Sequence, residues 1–278
     1  MLLKTNGDIL IDSIKINFDT EGLWILNIAL AVIMFGVALS IKIDDFKLLI
    51  KKPKILLVGV FSQFFLLPAL TFVAILIIKP HPSFALGMMM IAACPGGNIS
   101  NFFSKMAKGN SALSVSLTAF ATVICLLMTP LNLQFYSGLY EPTNEIIKTV
   151  QLDPIELFKL VLLILGIPIV LGMLLNHYFE EISKKIEVLL KPFSMIVFLA
   201  LIVIAFYDNI DVFLNYIHLV AGLVIFHNIG AYFIGFYTAK TFGLEKRDRK
   251  TISMETGIQN GGLGLLLIFQ FFDGLGGM

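Results

Sequence analysis

Charge is what this chain has least of. Only 14% of its 278 residues are Asp, Glu, Lys or Arg, while 58% are hydrophobic and the mean hydropathy is +0.91. That balance excludes an ordinary soluble domain. Twenty basic and 19 acidic side chains leave a net charge of +1, which offers nucleic acid no electrostatic footprint. Cysteine is scarce too: Cys94 and Cys125 stand in apolar surroundings without metal-ligand spacing, so they read as buried free thiols. There is no His-Glu-x-x-His and no Gly-x-Ser-x-Gly. Only one acid lies inside a membrane-length apolar run, so an intramembrane hydrolase has no supporting signature, and the chain is not expected to be an enzyme. His218 and His227, separated by apolar sequence, read as packing or interfacial residues. The first twenty residues lack a continuous apolar segment and a small-residue cleavage site, so no signal peptide is expected there.

What the chain has in abundance is apolar runs long enough to cross the hydrocarbon core, which takes about twenty residues. They fall near residues 23–41, 55–78, 84–106, 112–136, 155–175, 193–207, 216–239 and 251–272. The expected fold class is therefore an all-α polytopic membrane protein with about eight spans embedded in a lipid bilayer. The connecting segments alternate in charge. Residues 42–54 carry five lysines, Lys184, Lys185 and Lys191 mark another basic segment, and residues 240–250 are the most basic; residues 138–153 are net acidic. The positive-inside rule then puts both termini outside. A bacterial inner membrane is the expected location. The expected division is an external or interfacial tail at 1–22, a first repeat at 23–137, an external loop at 138–154 and a second repeat at 155–278.

Two of the eight runs cannot be continuous helices. Cys94-Pro95-Gly96-Gly97-Asn98-Ile99-Ser100-Asn101 interrupts the third, and Gly257, Gly261 and Gly262 around Gln259-Asn260 interrupt the eighth. Such breaks persist at membrane depth only inside protein or beside a cavity. Paired interruptions in the two halves are the sign of an inverted-repeat transporter, with ions and substrate held where the half-helices meet. Spans two and seven, which precede the broken ones, carry mid-membrane polar groups, Gln63 in one and His227-Asn228 in the other. The single intramembrane acid, Glu255, sits beside the second break. A carboxylate at the bilayer centre costs about 2.5 to 3.5 kcal/mol on insertion scales, so by default it marks an ion or proton site. Hydroxyl and amide oxygens that could complete a sodium site are present in Ser100, Asn101, Ser114, Thr118 and Gln63; Ser114 and Thr118 share one helical face. The second half-helices begin near residues 98–101 and 260–262. Their N–H groups and positive dipole ends suit an anionic substrate group.

The segment from Cys94 to Asn101, with Lys108-Gly109-Asn110, Leu113-Ser114-Val115-Ser116-Leu117-Thr118 and Glu255-Thr256-Gly257-Ile258-Gln259-Asn260, resembles the bile acid:sodium symporter family. The resemblance extends from about Leu23 to the end of the chain. It implies a panel and a core domain, two broken helices crossing in the core, and two Na+ ions near the crossing. It further implies a first sodium held by Ser100, Asn101, Ser114, Thr118 and Glu255. The second would be held by Gln63, Glu255 and Gln259 with the carbonyls of Thr256 and Ile258. Substrate contact is expected at Asn98, Asn260 and Gly261. Relative to the ten-span pattern of bacterial relatives, the first and last spans are missing, so the second repeat is expected to be incomplete.

The function expected on these grounds is sodium-coupled symport of an organic anion, a bile-acid-like steroid or a small carboxylate, by alternating access. A proton-coupled or uncoupled exporter on the same fold is one alternative, and a ligand-binding fragment that does not transport is another. Nothing in the sequence fixes an oligomeric state.

Overall fold

Backbone in hydrocarbon has no water to bond, so apolar segments must close their hydrogen bonds internally. In the computed structural model, which describes residues 20–39, 41, 53–97, 99–150, 153–272, 274–275 and 278, the segments do so as helix, apart from one isolated bridge. Most of the expected tail, most of the basic segment at 42–54, and Asn98 lie outside the described residues, and Thr20–Gly22 of that tail belong to the first helix.

In chain order the helices are α1 (Thr20–Ala38), α2 (Pro53–Ile78), α3 (Pro82–Ala93), α4 (Ile99–Met106), α5 (Ser111–Leu139) and α6 (Glu141–Val150). Then come α7 (Pro154–Val161, continued through Leu162–Gly166 and Ile167–Tyr178), α8 (Glu180–Asp208), α9 (Ile210–Thr241), α10 (Lys246–Gly257) and α11 (Gly261–Phe272). At 1.5 Å per residue, α5 with its 29 residues is about 43 Å long, more than the roughly 30 Å hydrocarbon core. The 12 residues of α3 reach only about 18 Å. Helices α2, α5, α7 and α9 are long and apolar enough to cross a membrane, whereas α3 with α4, and α10 with α11, reach spanning length only as pairs.

Helices α1, α7 and α8 lie on one another, α2, α3, α4, α5, α9 and α10 interlock around the breaks, and α5 against α7 and α11 against α1 join the two sets. Small residues permit the closest approaches. A Cβ on Gly235 of α9 would sit 2.7 Å from the Ile252 carbonyl oxygen and 2.8 Å from the Ser253 Cα of α10, so those backbones meet directly. The main core gathers Phe64, Leu86, Met90, Cys94, Cys125 and Leu267, all buried, while a broad outer surface of Leu, Ile, Val and Phe stays exposed, as a lipid-facing wall requires. Both cysteines are buried free thiols.

Two segments depart from the sequence expectation. Lys184, Lys185 and Lys191, read as a basic loop, belong to the polar first half of α8. Its acidic first turn suits the helix dipole, and Lys184 Nζ pairs with Glu180 3.3 Å away and Glu181 3.7 Å away. The segment at 138–154 carries the helix α6, which buries Thr143 and Ile147 on one face and exposes Glu141 and Glu145 on the other. Thr143 Oγ1 anchors its start to the carbonyls of Ser137 and Tyr140 at 2.7 and 2.8 Å.

Candidate ion and substrate site

Pro95 has no N–H, and the two glycines after it disfavour helix, so α3 stops at Ala93 and α4 starts only at Ile99. The orphaned backbone groups find partners in the other break. Gly97 N–H donates to the Ile258 carbonyl at 2.8 Å and Asn260 N–H to the Pro95 carbonyl at 2.8 Å, with Gly96 antiparallel to Gln259. Each interruption thus satisfies its counterpart across the crossing, and Thr129 Oγ1 caps the Ala93 carbonyl at 2.8 Å. The result is a fixed cross-over between α3/α4 and α10/α11.

Glu255 lies in the last turn of α10, immediately before that crossing, and is 2% exposed. Three hydroxyls from two other helices point at its carboxylate. Ser100 Oγ of α4 donates to Oε1 at 2.6 Å, Ser114 Oγ of α5 to Oε1 at 2.5 Å, and Thr118 Oγ1 of α5 to Oε2 at 2.8 Å. Asn101 Oδ1 joins them, 3.3 Å from Thr118 Oγ1. All five residues of the expected first set are therefore in one cluster. Among the described residues no Lys, Arg or His is paired with this carboxylate.

The second set is assembled by an irregularity in α2. Pro68 cannot donate to the carbonyl of Phe64 four residues before it, and residues Ser62–Leu66 form a π turn. Asn132 Nδ2 of α5 fills the gap by donating to the Phe64 carbonyl at 2.8 Å. The turn buries Ser62 and Gln63 and aims them at α10. Gln63 Nε2 donates to the Glu255 carbonyl at 3.0 Å, and Ser62 Oγ is 3.0 Å from Thr256 Oγ1. Gln259 Nε2 donates to the Thr256 carbonyl at 2.6 Å, which leaves Gln259 Oε1 buried without a hydrogen-bond partner. The Ile258 carbonyl is held by Gly97. Gly96 stands between the two sets: a Cβ there would lie 2.6 Å from Gln63 Nε2 and 2.9 Å from both the carbonyl oxygen and Oε2 of Glu255.

The expected substrate residues are divided. Gly261 borders a cavity of about 330 Å³ lined by α3, α9 and α11, together with Phe84, Met88, Leu223, His227 and Asn228. Asn260 instead caps α11, its Oδ1 accepting the Leu263 N–H at 3.1 Å. The α11 start is less open to an anion than the sequence suggests, because Gly261 N–H already donates to the Gln259 carbonyl at 3.0 Å. His227 Nε2 is 2.9 Å from Thr71 Oγ1 of α2, a helix-to-helix bond of the kind expected of it, and the ring also edges the cavity. Sequence reasoning missed Ser62, Asn132 and the cavity role of His227. Of these, only the polar pair His227-Asn228 inside an apolar run gave a signal.

Residues 27–216 match the Sodium Bile acid symporter family. Over 250 residues the chain is 31% identical to the uncharacterized sodium-dependent transporter YocS of Bacillus subtilis (strain 168), covering 90% of this chain and 75% of that protein. It is 28% identical over 246 residues to the probable sodium/metabolite cotransporter BASS1, chloroplastic, of Arabidopsis thaliana, covering 88% of this chain and 59% of that one. To the human ileal sodium/bile acid cotransporter it is 29% identical over 241 residues, 85% of this chain and 66% of that one. The chain thus spans less than two thirds of the plant and human relatives. With most of its length matched, the chain belongs to the sodium bile acid symporter family, a family of transporters and not of enzymes.

Proposed function

We propose that the chain provides the ion-coupling core of a sodium-driven symporter that imports an organic anion across a bacterial inner membrane, its N-terminus outside. One observation carries this reading: four oxygen-bearing side chains from two helices gather around one buried carboxylate on a third, with no basic partner beside it among the described residues. An ionised carboxylate can accept from all three hydroxyls at once, and oxygen atoms gathered without a basic residue suit a bound cation. A first sodium takes oxygens from Ser100, Asn101, Ser114, Thr118 and Glu255. A second takes Gln63, Gln259 and Glu255 with the carbonyls of Thr256 and Ile258; the unpartnered Gln259 Oε1 supports it, since a buried acceptor without a donor suits a cation.

Sodium binding draws the three helices onto the crossing and neutralises Glu255. That makes simultaneous binding of an anion favourable and movement of the loaded core past α1, α7 and α8 less costly. With two sodium ions per monovalent anion one net positive charge enters per cycle, and each charge contributes about 2.3 kcal/mol per 100 mV. The substrate is a bile-acid-like steroid or small carboxylate held near Asn98, Asn260 and Gly261; the cavity beside Gly261 is within the usual range for small-molecule sites. Uptake of tritiated taurocholate and pantoate into proteoliposomes, with and without an inward sodium gradient, tests the reading. Gradient-dependent accumulation of either supports it, and uptake driven equally by a proton gradient without sodium overturns it.

A further inference from the structure

Lys108-Gly109-Asn110, at the turn between α4 and α5, has no part in the ion site, yet it is tied to α10 by several hydrogen bonds. Lys108 adopts the left-handed conformation, φ 57°, which folds the chain back so that Gly109 N–H meets the Ser104 carbonyl at 2.8 Å. Asn110 then meets Thr251 of α10 twice through its backbone, donating from N–H to Oγ1 at 2.8 Å and accepting at its carbonyl at 3.2 Å. Its side chain donates to Asp248 at 2.8 Å. Ser104 Oγ of α4 completes the group, 2.9 Å from Thr251 Oγ1. Ser104 and Thr251 are fully buried.

Numbering exposes the design. Thr251 precedes Glu255 by four residues on α10, Ser104 follows Ser100 by four on α4, and Asn110, the N-cap of α5, precedes Ser114 by four. Four residues return a helix to the same face about 6 Å along its axis. The Ser104–Asn110–Thr251 contact therefore repeats the Ser100–Ser114–Glu255 contact one turn away, toward the basic end, with the same three helices in the same relation. The fit is tight: a Cβ on Gly109 would lie 2.7 Å from Thr251 Oγ1, 2.8 Å from Ser104 Oγ and 2.9 Å from the Ser104 carbonyl oxygen. Lys250 Nζ, donating to the Ala107 carbonyl at 2.7 Å, closes the outer side.

We propose that Thr251, Ser104 and the Gly109-Asn110 turn are positioning residues that set which monovalent cation the Glu255 site accepts. They fix the separation of α4, α5 and α10 one turn below the ion without touching it. Helices are stiff over one turn, so the spacing of this tier is the spacing of Ser100, Ser114 and Glu255 above it. Discrimination among lithium, sodium and potassium depends on how closely the oxygens are held to one ion's radius. A mutually hydrogen-bonded tier resists the contraction or expansion that another ion would need.

The inference rests on the sodium reading, and equilibrium 22Na+ binding to purified full chain, with Li+ and K+ as competitors, tests both. Thr251→Val removes the hydroxyl at nearly constant shape. It is expected to weaken sodium binding about ten-fold and to shift the lithium-to-sodium ratio by about three-fold or more, while Thr251→Ser stays near the wild-type value. Ser104→Ala, a smaller loss, is expected to move the same ratio in the same direction if Thr251→Val fails to fold. A purely structural tier would lower the melting temperature and leave the ion ratio where it was, which overturns the proposal. Absence of 22Na+ binding in the wild-type chain would instead overturn the sodium reading itself.

Discussion

Gly96→Ala is the smallest perturbation that separates the two groups of oxygens around Glu255. The added methyl would start 2.6 Å from Gln63 Nε2 and 2.9 Å from the Glu255 carbonyl oxygen and Oε2, whereas ordinary contact begins at 3.4 Å. The amide must retreat by 0.8 Å and each oxygen by 0.5 Å, the differences between those distances. The 3.0 Å bond from Gln63 to the Glu255 carbonyl cannot survive that movement. Overpacking costs about 1–3 kcal/mol and a buried amide left unpaired about 1–3 kcal/mol more, partly overlapping. A net penalty of roughly 2–4 kcal/mol directed at the ion-loaded state weakens sodium activation roughly 30- to 1000-fold. The assay is half-activation of uptake by sodium in proteoliposomes, alongside the melting temperature with and without sodium. An alanine variant that is folded and half-activated at the wild-type sodium concentration would refute the placement of Gly96 between two ion sites.

Three further outcomes follow from the same geometry. Asn132→Leu removes the donor to the Phe64 carbonyl in a protein-lined site, so stability should fall by about 1–3 kcal/mol, read as a lower melting temperature, with sodium affinity falling because Gln63 rides on the same turn. His227→Phe keeps an aromatic ring at the cavity but removes the bond to Thr71; substrate KM is expected to change several-fold while half-activation by sodium moves by less than two-fold, and equal shifts in both would contradict the separation of cavity and ion site. Cys94 and Cys125 are buried, so neither is expected to react with a membrane-impermeant maleimide until the protein is denatured, as mass spectrometry would show.

Much of this was legible in the residues, for identifiable reasons. Apolar runs of membrane length declare themselves by composition, and Pro95 followed by two glycines disfavours helix locally, so rods and breaks can be read from nearby residues. Glu255 stood out because charge in such a run is costly. What could not be read locally is how the breaks satisfy each other: the Gly97–Ile258 and Asn260–Pro95 bonds join segments far apart in sequence. The π turn at Ser62–Leu66 is equally hidden, because it changes the hydrogen-bond register without changing hydropathy, and Pro68 alone is compatible with a simple kink. Helix α6 was missed because a polar segment of ten residues gains helical order mainly from burying Thr143 and Ile147. Family resemblance supplied the grouping of oxygens into two sets; the hydrogen bonds to Glu255 give the first set a geometry.

Whether Glu255 binds the coupling cation is read most directly from the stoichiometry of equilibrium 22Na+ binding to the wild-type chain and to Glu255→Gln. The substitution preserves shape and removes the charge, and a unit charge in contact with a cation at about 2.5 Å is worth about 7 kcal/mol at an effective dielectric constant of 20. Two ions per wild-type chain and no measurable binding to the glutamine variant are the predicted results. Undiminished 22Na+ binding to a folded Glu255→Gln protein would show that Glu255 is not a ligand of the cation.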